Sequence, residues 1–554
     1  MAQRGRNERE TLNSDALLDT GERADKLWPR RLPWAAWLAG GAVLFLSLAF
    51  DGRLHWDEPA YLYIGAFLPF EAIIEGDFQP SGIEGHYLSR LLHVLLIHGL
   101  TRVTGPGTAA LVLIISIYLA LLLASAWLSY LVLVELLPDA VGLGRAVLLS
   151  MFTPIYLYLA FKTLPETPAF FLSALAALAL LRSLRGRAPL WLLVSACALA
   201  AAAFFRNNMA LLWISLAGAL LVAPPVPLSR IKLIGHAAAA GGTALVLALA
   251  SLFLAGIEID RYLGVGAMLL ERDEPFVLAA LNFLLEGGVF LLALPLAFLS
   301  GHKRQAFFFA TWFVLATAPL FTIFDYVESR YLATNLIALA GLIWLAAEAL
   351  RPHVTDWWQR RPLPTACSGV VAIFMVASSN ALATAIMAHE VRMDQLDEVI
   401  ERLDRTERRD YAILVPYVYT DFHYLRFAYP ERNVYSVQSV FEGHRDAEWW
   451  RRLEDDYYGK RVIRSVDGLT TLDANLVYLG FEENFSVANL RAITSFVPVL
   501  GRERHFRQSR FLNHLTLSWL WQNPQVILTE RFQVGHYQVF DVELRPGASA
   551  RTGR

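Results

Sequence analysis

The chain has 554 residues, 56% hydrophobic and 18% charged, a formal net charge of -2 and a mean hydropathy of +0.41. That apolar excess excludes an ordinary soluble protein, and the near-neutral balance offers no electrostatic footprint for nucleic acid. Cys197 and Cys367 both fall in apolar runs, which argues against a disulfide framework.

Residues 1–32 are polar and mixed in charge and are expected to form a disordered cytoplasmic tail. The apolar stretch after them lacks a small-residue cleavage site and reads as an uncleaved signal anchor. Eleven candidate spans follow along residues 33–388, at roughly 33–50, 108–134, 144–161, 168–184, 189–205, 208–224, 233–256, 276–299, 306–324, 331–350 and 365–388. The expected class is therefore a polytopic α-helical membrane protein.

With the N-terminus inside, the inside turns hold Arg182/Arg185/Arg187, Arg230/Lys232, Lys303/Arg304 and Arg351/Arg360/Arg361. The outside turns hold only isolated cations, as the positive-inside rule asks. An odd number of spans then puts residues 389–554 outside, as an extracytoplasmic mixed α/β domain. Its expected strands are Ala412–Pro416, Val434–Val437 and Leu476–Leu479, with helices at Asp446–Asp456 and Ser486–Phe496. A hairpin around Val534-Gly535-His536 is expected to end it.

Between the first two spans, residues 51–107 form a long polar loop. Residues 57–68 read as a helix lying along the membrane interface, opened by the pair Asp57-Glu58. A second loop helix is expected at about 86–104, with His86, Arg90 and His93 on one face. That face reads as solvated in preference to a metal set of Glu84, His86 and His93, because no zinc-type spacing supports the latter.

Charges beside membrane spans are costly, so their distribution is informative. Asp57, Glu58, Glu84, His86, Lys162, Glu166, Arg206, Asp325, Glu328 and Arg330 all fall at the outside ends of spans. Blander readings compete for several of them. Asp57 and Glu58 complement a helix macrodipole, Thr163-Leu164-Pro165-Glu166 matches a capping box, and Arg206 could snorkel to the interface.

A carboxylate, several cations and an apolar cleft on one face suit transfer of a sugar from a polyprenyl phosphate to a hydroxyl. The base takes the acceptor proton, and arginines stabilise the departing phosphate. Asp57 is the candidate base and Glu58 its support. Arg330, Arg206 and Lys162 are candidate phosphate ligands, and Tyr331 a candidate wall for the lipid tail. The reading requires no cofactor. A transporter or flippase is the rival and would place ionisable residues in mid-span. A noncatalytic scaffold would leave Asp57-Glu58 replaceable.

Six stretches carry a resemblance: HWDEP (His55–Pro59), EGDF (Glu75–Phe78), the run from Ile83 to Leu100, LPETP (Leu164–Pro168), AAFFRNN (Ala202–Asn208) and ESRYLATNLIALAGL (Glu328–Leu342). In order and topology they resemble the bacterial GT-C glycosyltransferases of the protein O-mannosyltransferase and lipid A aminoarabinose transferase group, over about residues 33–350. The resemblance implies an inner-membrane enzyme whose donor is a polyprenyl-phosphate sugar and whose acceptor is a glycolipid, polysaccharide or protein. His86 is followed by Tyr87-Leu88 where the family often has two prolines, so sugar and acceptor stay open. Trp449-Trp450 is followed by Arg451-Arg452, not by the DYG of oligosaccharyltransferases, so their divalent metal is not implied.

Overall fold

The computed structural model describes residues 53–55, 58–75, 90–259, 262, 288–323, 329–360, 390–437, 461–481 and 516–545. Short interruptions within these ranges fall at 138, 152, 154, 157–158, 160–162, 186–187, 226–228, 407–410, 417–419, 464 and 536. The expected tail 1–32, the spans at 33–50 and 365–388, and the helices at 446–456 and 486–496 lie outside the described residues.

The loop opens with β1 (Arg53–His55) and α1 (Glu58–Phe67), followed by α2 (Phe70–Glu75) and α3 (Leu91–Thr104). Gly105 and Gly107, with φ of 75° and 135°, stop α3 and turn the chain into α4 (Thr108–Leu136). That 29-residue helix spans roughly 43 Å, enough for a bilayer core.

Next come α5 (Ala140–Ser150), α6 (Glu166–Arg185), α7 (Ala188–Phe205), α8 (Ala210–Val222), α9 (Arg230–Leu254), α10 (Ala293–Ala297), α11 (Lys303–Ile323) and α12 (Leu336–Arg360). Among the described residues, five helices are long and apolar enough to cross a membrane: Thr108–Leu136, Glu166–Arg185, Ala188–Phe205, Arg230–Leu254 and the one through Leu332–Asp356. Small residues let them approach closely. Ala176, Ala196, Ala200, Ala217, Ala240 and Ala244 form one buried cluster with Leu180 and Trp213.

Some expected spans are reshaped. The span at 144–161 is interrupted, because α5 ends at Ser150 and the chain turns before Ile155. The span at 208–224 becomes a 3-10 turn, Asn207–Met209, leading into the 13-residue α8. The span at 331–350 opens with a 3-10 turn, Ser329–Asn335, and continues to Arg360.

The C-terminal part contains β2 (Glu390–Arg392), α13 (Met393–Thr406), β3 (Tyr411–Val415), α14 (Thr420–Ala428), β4 (Asn433–Val437), β5 (Val462–Ile463), α15 (Val466–Thr470), β6 (Asn475–Phe481), β7 (Val526–Val534) and β8 (Tyr537–Leu544). The sheet order is β5-β4-β3-β6-β8-β7. The first four strands are parallel, and β8 and β7 add on antiparallel. Every residue of β3 is buried, the pattern of a parallel strand covered on both faces. The expected hairpin is present, with Gly535 at φ 54° in its turn.

Strand pairing and helix packing join this domain to the first loop. β1 pairs with β2 antiparallel, Leu54 opposite Val391, and α14 packs on α1. The helix expected to lie along the membrane interface is instead buried from Glu58 to Gly65. Protein covers it, with α3 and α14 packed against it.

Candidate functional site

Asp57 lies outside the described residues. Its neighbour Glu58 is the first residue of α1 and fully buried. A buried carboxylate needs donors, and Thr163 Oγ1 donates to Glu58 Oε1 at 3.1 Å. Thr163 is 105 positions away in the chain. Its hydroxyl thus serves the acidic pair's helix, which the capping-box reading of Thr163–Glu166 did not foresee.

Three residues further on, Glu166 starts α6 and is also fully buried. Arg206 leaves the end of α7 in extended backbone, φ -163°, and brings its Nε to 3.1 Å from Glu166 Oε1. The angle is not that of a hydrogen bond, so this approach is an ion contact. Arg206 is only 6% exposed, which replaces the snorkelling alternative with an inward-turned cation.

Tyr118 of α4 is buried near the two carboxylates. Its phenol is within electrostatic reach of both Glu58 and Glu166 and lies 2.6 Å from His93 Nδ1. His93 meets the Tyr61 ring edge-on at 4.6 Å, and the Arg90 guanidinium sits 6.0 Å from the same ring. The face expected to be solvated is therefore interior at these positions. Arg90 is 4% exposed and His93 fully buried, because α3 packs against α1, α4 and α7.

The turn Ser329–Asn335 carries Arg330 and Tyr331, and its backbone packs against α6 and against Asn207–Met209. The late segment thus reaches the same end of the helices as Glu166 and Arg206. Asn335, at the end of this turn, is 1% exposed. Neither of its side-chain heteroatoms has a hydrogen-bond partner among the described residues. The side chains of Arg330 and Tyr331, and all of Glu84, His86, Lys162, Asp325 and Glu328, lie outside the described residues.

The structure brings together Glu58, Glu166 and Arg206 of the expected set. Sequence reasoning missed Tyr118 and the donation from Thr163 to Glu58. A phenol inside the otherwise apolar run of α4 was the available signal, since a buried Tyr O–H usually finds a polar partner. Among the described residues no group of three His, Cys, Asp or Glu side chains could hold a metal ion. Two carboxylates, a guanidinium, a phenol and an imidazole in a dry setting can hold a proton and bind an anionic group.

No protein-family model matches the sequence, and no curated protein matches it. Solved structures do. ArnT from Cupriavidus metallidurans bound to undecaprenyl phosphate superposes with a TM-score of 0.53 at 13% identity, over 92% of this chain and 98% of that one. Its apo form gives 0.52 at 13% identity with the same coverage. The apo oligosaccharyltransferase of Archaeoglobus fulgidus gives 0.45 at 10% identity, over 82% of this chain and 70% of its own. Near-complete coverage of both chains at 13% identity establishes architecture: this chain has the GT-C fold of ArnT.

Proposed function

We propose that this protein is an integral-membrane glycosyltransferase that moves one sugar from a polyprenyl-phosphate donor to an acceptor hydroxyl on the extracytoplasmic face. The observation that carries the reading is the convergence of Glu58, the sequence neighbour of Asp57, with Thr163, Glu166, Arg206 and Tyr118, from four separate stretches of chain. The fold supports it, since ArnT with this architecture was crystallised with undecaprenyl phosphate.

In the proposed reaction Asp57 takes the proton of the acceptor hydroxyl as its oxygen attacks the anomeric carbon. The bond from that carbon to the phosphate oxygen breaks, and the polyprenyl phosphate leaves with the electron pair. One displacement inverts the anomeric centre. Arg330 and Arg206 offset the charge developing on the phosphate, because a guanidinium donates in pairs to its oxygens. Lys162 adds a third cation. Glu58, buried and hydrogen-bonded to Thr163, orients the start of α1, which leaves Asp57 as the member able to meet the acceptor. Glu84, His86 and Glu328, expected from the sequence at outside ends of spans, are assigned to substrate contact, with Tyr331 beside the lipid tail.

The test is Asp57→Asn in membranes supplied with a polyprenyl-phosphate sugar. Transfer is expected to fall by at least about 100-fold, the scale of a lost general base, while expression and membrane insertion persist. Wild-type transfer rates in the variant would remove Asp57 from the role. Comparing cell-surface glycolipids and glycoproteins with and without the protein, by mass spectrometry, identifies sugar and acceptor together.

A further inference from the structure

The far end of α6, away from Glu166 and Arg206, gathers cations from two helices around one acid. α6 carries Glu166 at its start and Arg182 and Arg185 in its last turn. Arg182 Nε lies 3.2 Å from Glu135 Oε1, and Arg185 Nη1 lies 2.8 Å from Glu135 Oε2. The two guanidinia thus flank one carboxylate at the end of α4. Arg185 also donates from Nη2 to the Glu135 carbonyl. Lys232, in the first turn of α9, donates from Nζ to the carbonyl of Leu184 at 2.5 Å, which brings its ammonium onto the same last turn of α6. Arg182 faces Trp191 of α7, its guanidinium carbon 4.9 Å from the ring centroid.

Among the described residues Glu135 is the only acid in ion contact with any of the three cations, so the cluster keeps an excess of positive charge. Its donors open outward. The side chains of Arg182 and Arg185 are 35% and 61% exposed, and Lys232 is exposed, so an anion reaches them from outside the protein. Apolar side chains are bared beside them. Leu190 and Leu193 of α7 and Ile231 and Ile234 of α9 are each more than half exposed. Charges next to bared large aliphatics suit the boundary between lipid headgroups and acyl chains, where tryptophans such as Trp191 are enriched. The 20 residues of α6 separate the cluster from Glu166 by roughly 28 Å, close to the roughly 30 Å of a bilayer's hydrocarbon core.

We infer that Arg182, Arg185 and Lys232, with the bared apolar residues of α7 and α9, form a binding site for an anionic phospholipid of the leaflet opposite the candidate functional site. The phosphodiester accepts from the guanidinium forks, which donate in pairs to its oxygens, and Lys232 adds a point charge. The acyl chains lie along α7 and α9. Charge decides among lipids. A headgroup of net negative charge offsets the excess on the cluster, whereas a zwitterionic one brings a cation of its own. A soluble phosphate would answer the charges and leave the bared aliphatics unused. The site does not rest on the glycosyl-transfer reading, because none of its residues belongs to the set around Glu58, Glu166 and Arg206.

The test is native mass spectrometry of the detergent-purified, delipidated full chain, titrated with phosphatidylglycerol or with phosphatidylcholine of the same acyl chains. The wild type is expected to bind phosphatidylglycerol at least about tenfold more tightly. Arg185→Gln combined with Lys232→Gln should bring the two lipids close to parity by weakening phosphatidylglycerol alone. Arg182 keeps its contact with Glu135 in that variant, and an exposed ion pair such as that of Arg185 contributes little to stability. Arg185→Lys combined with Lys232→Arg retains both charges and should retain most of the preference. A wild type that binds the two lipids equally, or a neutral double variant that keeps the wild-type preference, overturns the site. So does an equal loss in both double variants, which would trace the effect to disturbed helix contacts and not to charge. Glycerol 3-phosphate, the phosphate without acyl chains, is the third titrant. Binding at least about tenfold weaker than that of phosphatidylglycerol supports a lipid occupant, and binding as tight assigns the cluster to a soluble anion and overturns it.

Discussion

Glu166 and Arg206 show what the site demands of single residues. Each is nearly or fully buried, so each charge has lost its water and has the other close by at 3.1 Å. Removing one takes a near opposite charge from the other in a setting of low polarity, which is costlier than removing both. Arg206→Ala is accordingly expected to destabilise the chain by up to about 3–5 kcal/mol. Adding Glu166→Gln in the same chain should restore much of that loss, because a neutral amide is cheaper to bury than a carboxylate. Thermal unfolding of the detergent-solubilised single and double variants measures both effects. A double variant no more stable than Arg206→Ala would mean that the ion contact does not govern the site's stability.

At the scale of elements, α1 is the piece on which the acidic pair depends, and Gly65 fixes its place. A β-carbon at Gly65 would stand 2.6 Å from Ile97 Cγ2 and 3.1 Å from the backbone nitrogen of His98. The Gly65 carbonyl also accepts from His98 Nδ1 at 2.9 Å and from Thr101 Oγ1 at 3.3 Å. Gly65→Ala therefore has to push α1 away from α3, while α14 closes the other side with Tyr63 on His423. Overpacking of this kind costs about 1–3 kcal/mol, and a displacement of about 1 Å at a reacting group costs about 100-fold in rate. The expected outcome is a folded protein with transfer reduced far more than stability, read by assaying both on one preparation. Parallel losses would place the effect in the fold and not in the position of the pair. The helix itself was legible in the sequence, as were α3 and β3, because apolar runs and breakers act locally. The burial of α1 was not legible, because the residues that cover it come from α3, about 30 positions on, and from α14, about 360 positions on.

Across the whole molecule, charge asymmetry and span order, both additive along the chain, are what singled out Glu58, Glu166 and Arg206 in the sequence. The same additivity hid the docking of the C-terminal domain, which joins β1 to β2 and α1 to α14. It also concealed Thr163 and Tyr118, whose roles depend on partners from other helices. That docking face carries a pH dependence. Burial raises the Asp421 carboxyl to about 7, partly offset by the hydrogen bond from Tyr537, and burial lowers the His423 imidazole to about 3. Native Asp421 holds its proton where the unfolded chain has lost it, so its contribution is complete below about pH 4 and is lost as pH rises through about 7. Native His423 stays neutral where the unfolded chain is charged, so its contribution is complete above about pH 6.5 and is lost on acidification toward about 3. Between about pH 4 and 6.5 the two slopes oppose and stability changes little from this pair. Above that window only Asp421 still titrates, and stability falls. Asp421→Asn keeps an acceptor for the Tyr537 hydroxyl and removes the charge, so the decline from about pH 6.5 to 8 should disappear, leaving the acid-side loss due to His423. Denaturant melts of the detergent-solubilised wild type and variant from about pH 5 to about pH 8 read this directly. If the variant declines above pH 6.5 as steeply as the wild type, the titrating group is not Asp421, and the docking face is insensitive to pH there.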